Sequence, residues 1–476
     1  MGDIRYVCLS DMHLGQDNSL LTNLKEASPK RNNGEASPVL KEFSGCLRDL
    51  IGQNTGGTKP TLILNGDILE LALCQMHEAA MVFQRFIELV MPPGGELFET
   101  IVYLPGNHDH HLWELARETQ YVDFLKRTNP VLNKEDLKPP YHTSSLFALQ
   151  PDNQVPGYFL TSLVQMYPNL KDFPILTAYP DLGVFNPSRT RLAVFSHGHY
   201  IESIYRLVSE LFRMILPDIP PVTQVWGLEE ENFAWIDFFW SAMGRSGKPG
   251  EGVERIYESL RDKKARDRLL GNLAASLAKK YDLPGWGDWM EEKPLKAILS
   301  FLADRAVGRE RHQTGDFLGD DARSGLWSYA EVFLKNRLAP MFPEGIGVDL
   351  SFVFGHTHKP YEDKADFVGY DKWVALANTG GWVVETEEPS PIHGASVALL
   401  DEDLNLAVLR CYNEGGGGVR LADPKDYHEA SAPFVGAVKA RVEKSQAAWD
   451  RFSEECVRSI KVRRRHLIAG ISRARA

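Results

Sequence analysis

The chain has 476 residues, of which 43% are hydrophobic and 10% aromatic, and its formal net charge is −11. This length suits two domains or one domain with large insertions, and the apolar content excludes a disordered or fibrous chain. The acidic balance disfavours a dedicated nucleic-acid-binding protein, which normally carries a surplus of basic residues.

Cysteine usage and the N-terminal sequence bear on the compartment. The cysteine count is odd and the chain has no C-x-x-C pair, so a disulfide framework is not expected. The cysteines are Cys8, Cys46, Cys74, Cys411 and Cys456. The first residues lack a secretory signal pattern, and no uninterrupted apolar run reaches membrane-spanning length. These features predict a cytoplasmic protein in a reducing environment.

Five apolar segments of the chain each end in a short run of glycine and polar residues. They read IRYVCLSDMHLG, TLILNGDILE, TIVYLPGNHDH, RLAVFSHGHY and VDLSFVFGHTHKP. Each is typical of a buried strand that delivers its last residues to a loop. Helices are predicted near residues 39–51 and 76–90, between the first three segments. This alternation predicts an α/β sandwich with functional loops at the C-terminal ends of the strands.

Two long stretches interrupt the alternation, at about residues 110–189 and 201–346. The first has mixed character, whereas the second has apolar residues at helical spacing, as in VERIYESLRDKKARDRLLGNLAASLAKKY. The second stretch also contains six of the ten tryptophans. It is predicted to be a helical cap that forms one wall of a substrate cleft, although its tryptophans equally suit the core of a plain structural subdomain.

The end of the chain is predicted to close the sheet and then to form a basic helix. KWVALANTGGWVVE and GASVALLDEDLNLAVLRCY indicate closing strands and a hairpin. Residues 439–475 contain eleven Lys or Arg and four Asp or Glu, a charge that suits anionic lipid, nucleic acid or a frayed solubilising terminus. The predicted domains are a discontinuous catalytic domain (residues 1–200 and 346–432), an inserted helical cap (residues 201–345) and a basic C-terminal helix or tail (residues 433–476).

The polar residues at the five strand ends form one set of candidate metal ligands and catalytic groups. They are Asp11, His13, Asp67, Asn107, His108, His197, His356 and His358. In an open α/β sheet these strand ends converge on one crevice. Carboxylate, imidazole and amide oxygen ligands suit Mn, Fe, Zn or Ni, and the lack of a thiolate argues against a structural zinc site. Two neighbouring ions would need a bridging carboxylate.

The series DMH, GD, GNHD, HGH and GHTH resembles the calcineurin-like metallophosphoesterase superfamily, over about residues 4–111, 191–200 and 349–383. The resemblance implies a four-layer β-sandwich flanked by helices, carrying a large helical insertion and a C-terminal helical tail. It also implies two divalent metal ions, of which Mn is expected to support activity in vitro. The implied ligands are Asp11, His13 and His358 for the first metal, Asn107, His197 and His356 for the second, and Asp67 between them.

The resemblance further implies in-line attack on phosphorus by a hydroxide that bridges the two ions, since metals lower the pKa of water. His108 resembles the histidine that protonates the leaving oxygen or stabilises the developing charge. Asn107 would also touch a phosphate oxygen, and either Asp109 or Glu70 would orient His108. Glu70 stands where many members of the superfamily carry Asp.

Two departures from the superfamily patterns narrow the prediction. The arginine of the protein Ser/Thr phosphatase motif G-D-x-V-D-R-G is missing from GDILELA, so a protein phosphatase of that type is not expected. The H-G-D of many small members reads His197-Gly198-His199 here. By position His197 is favoured as the ligand, with His199 as a spare ligand or a residue near the site.

The predicted activity is hydrolysis of a phosphomonoester or phosphodiester. The alternatives are a pyrophosphatase on a nucleotide-linked lipid or sugar, a nuclease, and a non-catalytic scaffold with the same fold. The expected partner is a phosphorylated small-molecule or lipid-linked substrate; nucleic acid is disfavoured, and the basic tail leaves peripheral membrane contact open. The sequence does not predict an oligomeric state.

Three residues beside these motifs carry open alternatives. His110 and His111 follow the catalytic histidine, where they would either contact substrate or lie in a solvated loop. Lys359 follows the last motif and would either steer a phosphate group or remain solvated.

Overall fold

A computed structural model describes residues 2–24, 31–127, 142–242, 268 and 315–475 of the protein. Its strands are β1 (Tyr6–Leu9), β2 (Thr61–Asn65), β3 (Thr100–Leu104), β4 (Val155–Pro156), β5 (Ile175–Thr177), β6 (Asp181–Phe185), β7 (Arg191–Ser196), β8 (Asp349–Phe354), β9 (Tyr361–Ala365), β10 (Val374–Asn378), β11 (Gly394–Leu400), β12 (Leu406–Asn413) and β13 (Arg420–Leu421). They form an eight-stranded sheet in the order β13-β12-β11-β1-β2-β3-β5-β4 and a five-stranded sheet in the order β6-β7-β8-β10-β9.

The described α-helices are α1 (Pro38–Ile51), α2 (Met76–Val90), α3 (His111–Arg127), α4 (Tyr158–Val164), α5 (Leu207–Ile215), α6 (Val225–Trp235), α7 (Asp320–Ser328), α8 (Lys335–Leu338), α9 (Ala432–Lys444) and α10 (Gln446–Arg475). Short π-helical turns follow α6 and α7, at Ile236–Ala242 and Tyr329–Leu334. The predicted helices near residues 39–51 and 76–90 are confirmed. The first begins where it does because Ser37 Oγ accepts a hydrogen bond from Leu40 N, with Pro38 at the first helical position.

Strand burial on both faces explains why the strand segments read as continuous apolar runs. In β1, Val7 and Leu9 face the helices packed on the first sheet, whereas Cys8 faces the second sheet. In β8, Phe352 faces the helices on the other side and Val353 faces the first sheet. Alternate residues of one strand thus enter different cores. The result is a mixed α/β protein with four layers, in the order helices, sheet, sheet, helices.

The helices that cover the two outer faces come from different parts of the chain. The first sheet is covered by α1, α2, α4, α9 and α10, through buried residues such as Phe43, Phe86 and Phe452. The second is covered by α5 to α8, through residues such as Leu228 and Leu326. The described part of the predicted cap is therefore the outer layer of the second sheet. The segment VERIYESLRDKKARDRLLGNLAASLAKKY, with Trp286 and Trp289, lies outside the described residues apart from Arg268.

The stretch of mixed character, residues 110–189, supplies α3, α4 and the strands β4, β5 and β6, and β6 forms an edge of the second sheet. In the parts of the chain that the structure describes, no helix combines the length and apolar character that crossing a membrane requires. The C-terminal segment packs on the body of the protein. Trp449, Phe452 and Ile460 of α10 are buried in the same core as α1, so the alternative of a frayed terminus is wrong for the described part of this helix.

Candidate metal centre

The loops after β1, β2, β3, β7 and β8 bring all the predicted metal ligands to one place. The strands β1, β2 and β3 run parallel in one sheet, and β7 and β8 run parallel in the other. The carboxyl ends of parallel strands share an edge, so side chains just beyond them meet. Each of these residues is at most 3% exposed, and they are Asp11, His13, Asp67, Asn107, His108, His197, His356 and His358.

The backbone at this edge is strained at the ligand positions themselves. Among the described residues, seven that are not glycine have a positive φ, and five of the seven are predicted ligands. The five are Asp11, His13, Asp67, His356 and His358. Such a conformation is costly for non-glycine residues and accumulates at functional sites. The flanking glycines make room, since a Cβ on Gly66 would clash with the ring of His197 and one on Gly355 with the carboxylate of Asp11.

Asp11, His13 and His358 form a first cluster, with ligand atoms that could hold a metal ion. The Nε2 atoms of His13 and His358 are 3.1 Å apart, and His358 Nε2 is 3.3 Å from Asp11 Oδ1. The carboxylate of Asp11 also accepts the backbone N–H of His356 at 3.0 Å, which fixes its orientation. Three potential metal-ligand atoms, one from each residue, therefore face one point.

Asp67, His197 and His356 form a second cluster that could also hold a metal ion. His197 Nε2 lies 3.2 Å from His356 Nδ1 and 3.0 Å from Asn107 Oδ1. The amide oxygen of Asn107 thus joins this cluster as a fourth donor. His197, which the sequence favoured over His199, is the histidine of the H-G-H motif whose ring reaches the cluster.

Asp67 lies between the two clusters. Its Oδ2 atom is 3.6 Å from His13 Nε2 in the first cluster and 3.5 Å from His197 Nε2 in the second. Its Oδ1 atom accepts the backbone N–H of His108 at 2.7 Å. One carboxylate oxygen is therefore positioned to serve both clusters, as a bridging ligand between two cations must be.

The outer ring nitrogen of each cluster histidine has its own partner. His13 Nδ1 is 2.9 Å from Glu70 Oε2, His358 Nδ1 is 3.2 Å from Glu385 Oε1, and His356 Nε2 is 2.7 Å from Glu202 Oε1. His197 Nδ1 is 3.4 Å from the carbonyl oxygen of Asn65. Such partners fix the tautomer and orientation of metal-binding histidines. The sequence reasoning missed Glu202 and Glu385, which belong to no motif.

The potential ligand atoms of the two clusters are arranged to bind metal cations better than to bind protons. When the outer nitrogens of His13 and His358 carry the ring protons, as the carboxylates of Glu70 and Glu385 beside them favour, the inner nitrogens direct lone pairs at each other. A cation between those nitrogens stabilises this arrangement. The pocket is also electrostatically negative. Burial opposes a positive charge on His197, yet Asp67 and Asp11 raise its pKa to about 9. Burial opposes ionisation of Asp67, yet the charges of His197 and His108 hold the pKa of that carboxyl well below its usual range.

His108 stands beside the clusters and is oriented by Glu70. Its Nδ1 atom is 2.8 Å from Glu70 Oε1, while the other oxygen of that carboxylate faces His13. Asp109, the other candidate for this role, is hydrogen-bonded to backbone groups of two loops. Its carboxylate accepts the backbone N–H groups of Ile68 at 2.7 Å and Gly106 at 2.7 Å. Asp109 thus ties two ligand loops together, and the catalytic role predicted for it stays a prediction.

Several neighbours of the motifs are buried where a solvated position was one alternative. His110 is fully buried, with Nε2 2.9 Å from Glu229 Oε1, and His111 is partly buried beside Asp237. Lys359 is fully buried and its Nζ donates to the carbonyl oxygen of Asp316 at 2.8 Å. The solvated alternatives for His110 and Lys359 are therefore wrong, because both side chains are enclosed by segments from the 201–345 insertion.

His199 lies beside the second cluster, with its ring centroid 5.6 Å from that of His197 and its Nε2 3.3 Å from the hydroxyl of Tyr179. Burial and the charge of His197 hold the pKa of His199 well below its usual range, so the ring is neutral.

Comparison with known proteins identifies no related protein. No model of a known protein family matches the chain, and a search of curated proteins gave no match.

Proposed function

We propose that this protein is a hydrolase of phosphoester bonds that uses two divalent metal ions, in the manner of the calcineurin-like metallophosphoesterases. The observation that carries the proposal is the position of Asp67, with one carboxylate oxygen 3.6 Å and 3.5 Å from histidines of two separate clusters. A single buried carboxylate between two sets of potential metal ligands is the arrangement that a dinuclear centre requires.

The residues present define two coordination sites. Asp11, His13 and His358 would hold one ion, and Asn107, His197 and His356 the other, with Asp67 shared. Imidazole, carboxylate and amide oxygen donors suit Mn, Fe, Zn or Ni. Bound there, such ions supply Lewis-acid stabilisation of phosphoryl oxygens and lower the pKa of water.

His108 is the residue best suited to deliver a proton to the leaving oxygen. Glu70 engages its Nδ1 atom at 2.8 Å, so Nε2 is the nitrogen that would carry the transferred proton. Asn107 has a second task, because its amide Nδ2 is buried without a hydrogen-bond partner among the described residues. That N–H group is available to donate to a phosphate oxygen, since a buried donor is stabilised by any acceptor that reaches it.

The residues around the clusters would determine which phosphoesters can bind. Helix α10 bears on whether the substrate is a lipid, a nucleic acid or a small molecule. Arg463 and Arg464 donate to carbonyl oxygens inside the protein. These two residues therefore contribute nothing to a lipid-binding or nucleic-acid-binding patch. This reduces the support that the basic C-terminal segment gave to a lipid-linked pyrophosphatase or a nuclease, and a small phosphomonoester or phosphodiester is the better-supported substrate.

Turnover of simple esters tests the proposal. Metal-stripped protein is refilled with Mn, and hydrolysis of bis-p-nitrophenyl phosphate and p-nitrophenyl phosphate is measured for wild type and Asp67→Ala. The matched control is Asp172→Ala, whose side chain is 87% exposed. We expect Mn-dependent turnover that Asp67→Ala abolishes and Asp172→Ala leaves unchanged. Turnover that needs no metal, or that survives in Asp67→Ala, would exclude the proposed function.

A further inference from the structure

The C-terminal helix α10 carries two neighbouring arginines that point into the protein. Arg463 is 4% exposed, and the Arg464 side chain is 14% exposed, whereas the next residue, Arg465, lies on the exposed face. Burying a guanidinium group is costly unless its donors are satisfied. The partners of these two arginines therefore indicate what the helix stabilises.

Arg463 holds the loop that follows the D-x-H motif. Its Nε donates to the carbonyl oxygen of Ser19 at 2.7 Å, and its Nη2 donates to that of Thr22. The hydroxyl of Ser19 in turn donates to the carbonyl oxygen of Met12 at 2.7 Å. Met12 lies between Asp11 and His13, so this chain of hydrogen bonds ends on the backbone that joins two first-cluster residues.

Arg464 reaches the first cluster by a second route. Its Nη2 is 3.2 Å from Glu414 Oε2, and Glu414 Oε1 accepts the backbone N–H of Glu385 at 2.6 Å. Glu414 also accepts a short hydrogen bond from the hydroxyl of Thr386. The Glu385 carboxylate then faces His358 Nδ1 at 3.2 Å. The two arginines thus support all three residues of the first cluster.

The second cluster has a different support. Glu202 contacts His356 Nε2 at 2.7 Å, and the ring of Tyr205 packs edge-on against His356 with centroids 5.0 Å apart. Both residues come from the 201–345 insertion. Among the residues that the structure describes, Arg463 and Arg464 form no hydrogen bond with Asn107 or His197. A substitution of either arginine should therefore change metal binding at the first cluster more than at the second.

We propose that α10 is a clasp that sets the affinity of the first cluster for its cation, with Arg463 and Arg464 as positioning residues. The proposal rests on the proposed function, in that the first cluster binds a divalent metal. The clasp keeps Asp11, His13 and His358 in their strained, preorganised geometry. Loss of a group that orients a metal ligand typically costs about 10- to 100-fold in affinity, and these arginines act one step further out, so we expect about a tenfold loss.

Binding of Mn²⁺ to the full chain, measured by equilibrium dialysis with metal analysis, tests the clasp. The variants are Arg464→Met, which keeps an apolar stem, and Glu414→Gln, which weakens the same route with little change in volume. Arg465→Met is the matched control, and Arg464→Lys tests rescue by charge. Thermal melting of each metal-free variant shows whether the fold persists. We expect one of two Mn²⁺ ions to bind about tenfold more weakly in Arg464→Met and Glu414→Gln, with Arg465→Met unchanged.

A double-mutant cycle shows which cluster is affected. In a His358→Ala background the first cluster is already broken, so Arg464→Met should have no further effect on Mn²⁺ binding. In a His197→Ala background the full tenfold loss should remain. Equal weakening of both ions, or unchanged binding in both Arg464→Met and Glu414→Gln, would overturn the clasp. Wild-type protein that binds no Mn²⁺ would instead overturn the proposed function on which the clasp rests.

Discussion

Glu70 is the residue on which both the first cluster and the predicted proton donor depend. Its two carboxylate oxygens face His13 and His108, at 2.9 Å and 2.8 Å. Burial opposes its ionisation, but the charges and hydrogen bonds of those histidines hold the pKa of Glu70 well below its usual range. An ionised Glu70 therefore fixes one ring for metal binding and the other for proton transfer.

Replacing His108 should affect substrates according to how much their leaving groups need a proton. A phenolate with nitro substituents leaves without protonation, whereas phenolate itself is more basic and needs the acid. We expect His108→Asn to lower kcat for phenyl phosphate by about 10²- to 10⁴-fold and for p-nitrophenyl phosphate by much less. Steady-state kinetics with both esters measures this difference. Equal losses on both would show that His108 is not the proton donor.

Helix α6 of the insertion is joined to the loop after β3 by a buried charge pair. His110 Nε2 is 2.9 Å from Glu229 Oε1, and Glu229 Oε2 accepts the hydroxyl of Tyr179 at 2.8 Å and that of Tyr200. Burial lowers the pKa of His110, but Glu229 and Asp237 raise it to about 10. Burial likewise opposes ionisation of Glu229, yet His110 lowers its pKa. The pair is therefore charged near neutral pH.

Breaking this pair should cost stability that depends on pH. The His110 contribution is fully present below its unfolded pKa of about 6.5 and is lost as the pH rises through about 10. The Glu229 contribution is present above its unfolded pKa of about 4.5 and lost as the pH falls through its lower folded value. We expect Glu229→Gln to lower the melting temperature by about 5 °C at pH 6.5, and by less at pH 10.

The neighbouring Glu230 provides the control for this measurement, since its side chain is 55% exposed. Glu230→Gln should shift the melting temperature by less than about 1 °C at either pH. If Glu229→Gln destabilised the protein equally at pH 6.5 and pH 10, the charged pair would not be the source of the effect.

Across the whole molecule, the ligands of the two clusters come from neighbouring strand ends, but the residues that orient those ligands come from different parts of the fold. The first is supported by α10 and by Glu385, and the second by Glu202 from the insertion. This division predicts separable metal affinities. Glu385→Gln should weaken one bound Mn²⁺ about tenfold and Glu202→Gln the other, measured by equilibrium dialysis. Identical effects of the two substitutions on both ions would contradict this division.

How much of this arrangement the sequence reveals depends on how far apart the interacting residues lie along the chain. Asp11, Asp67 and His356 could be predicted because each directly follows an apolar strand within a short motif. Glu202, Glu385 and Arg463 could not, since they meet the ligands only through tertiary packing and are ordinary charged residues in the sequence. The order of the four layers could not be predicted either. A strand that is buried on both faces is apolar throughout, so its sequence does not show which core each face enters.

The position of bound metal tests the dinuclear centre most directly. Crystals of the full chain loaded with Mn²⁺ would be examined by anomalous diffraction at the manganese edge. We expect two peaks about 3.5–4 Å apart, one bounded by Asp11, His13 and His358, the other by His197 and His356, with the Asp67 carboxylate between them. A single peak, or manganese bound away from Asp67, would contradict the dinuclear phosphoesterase.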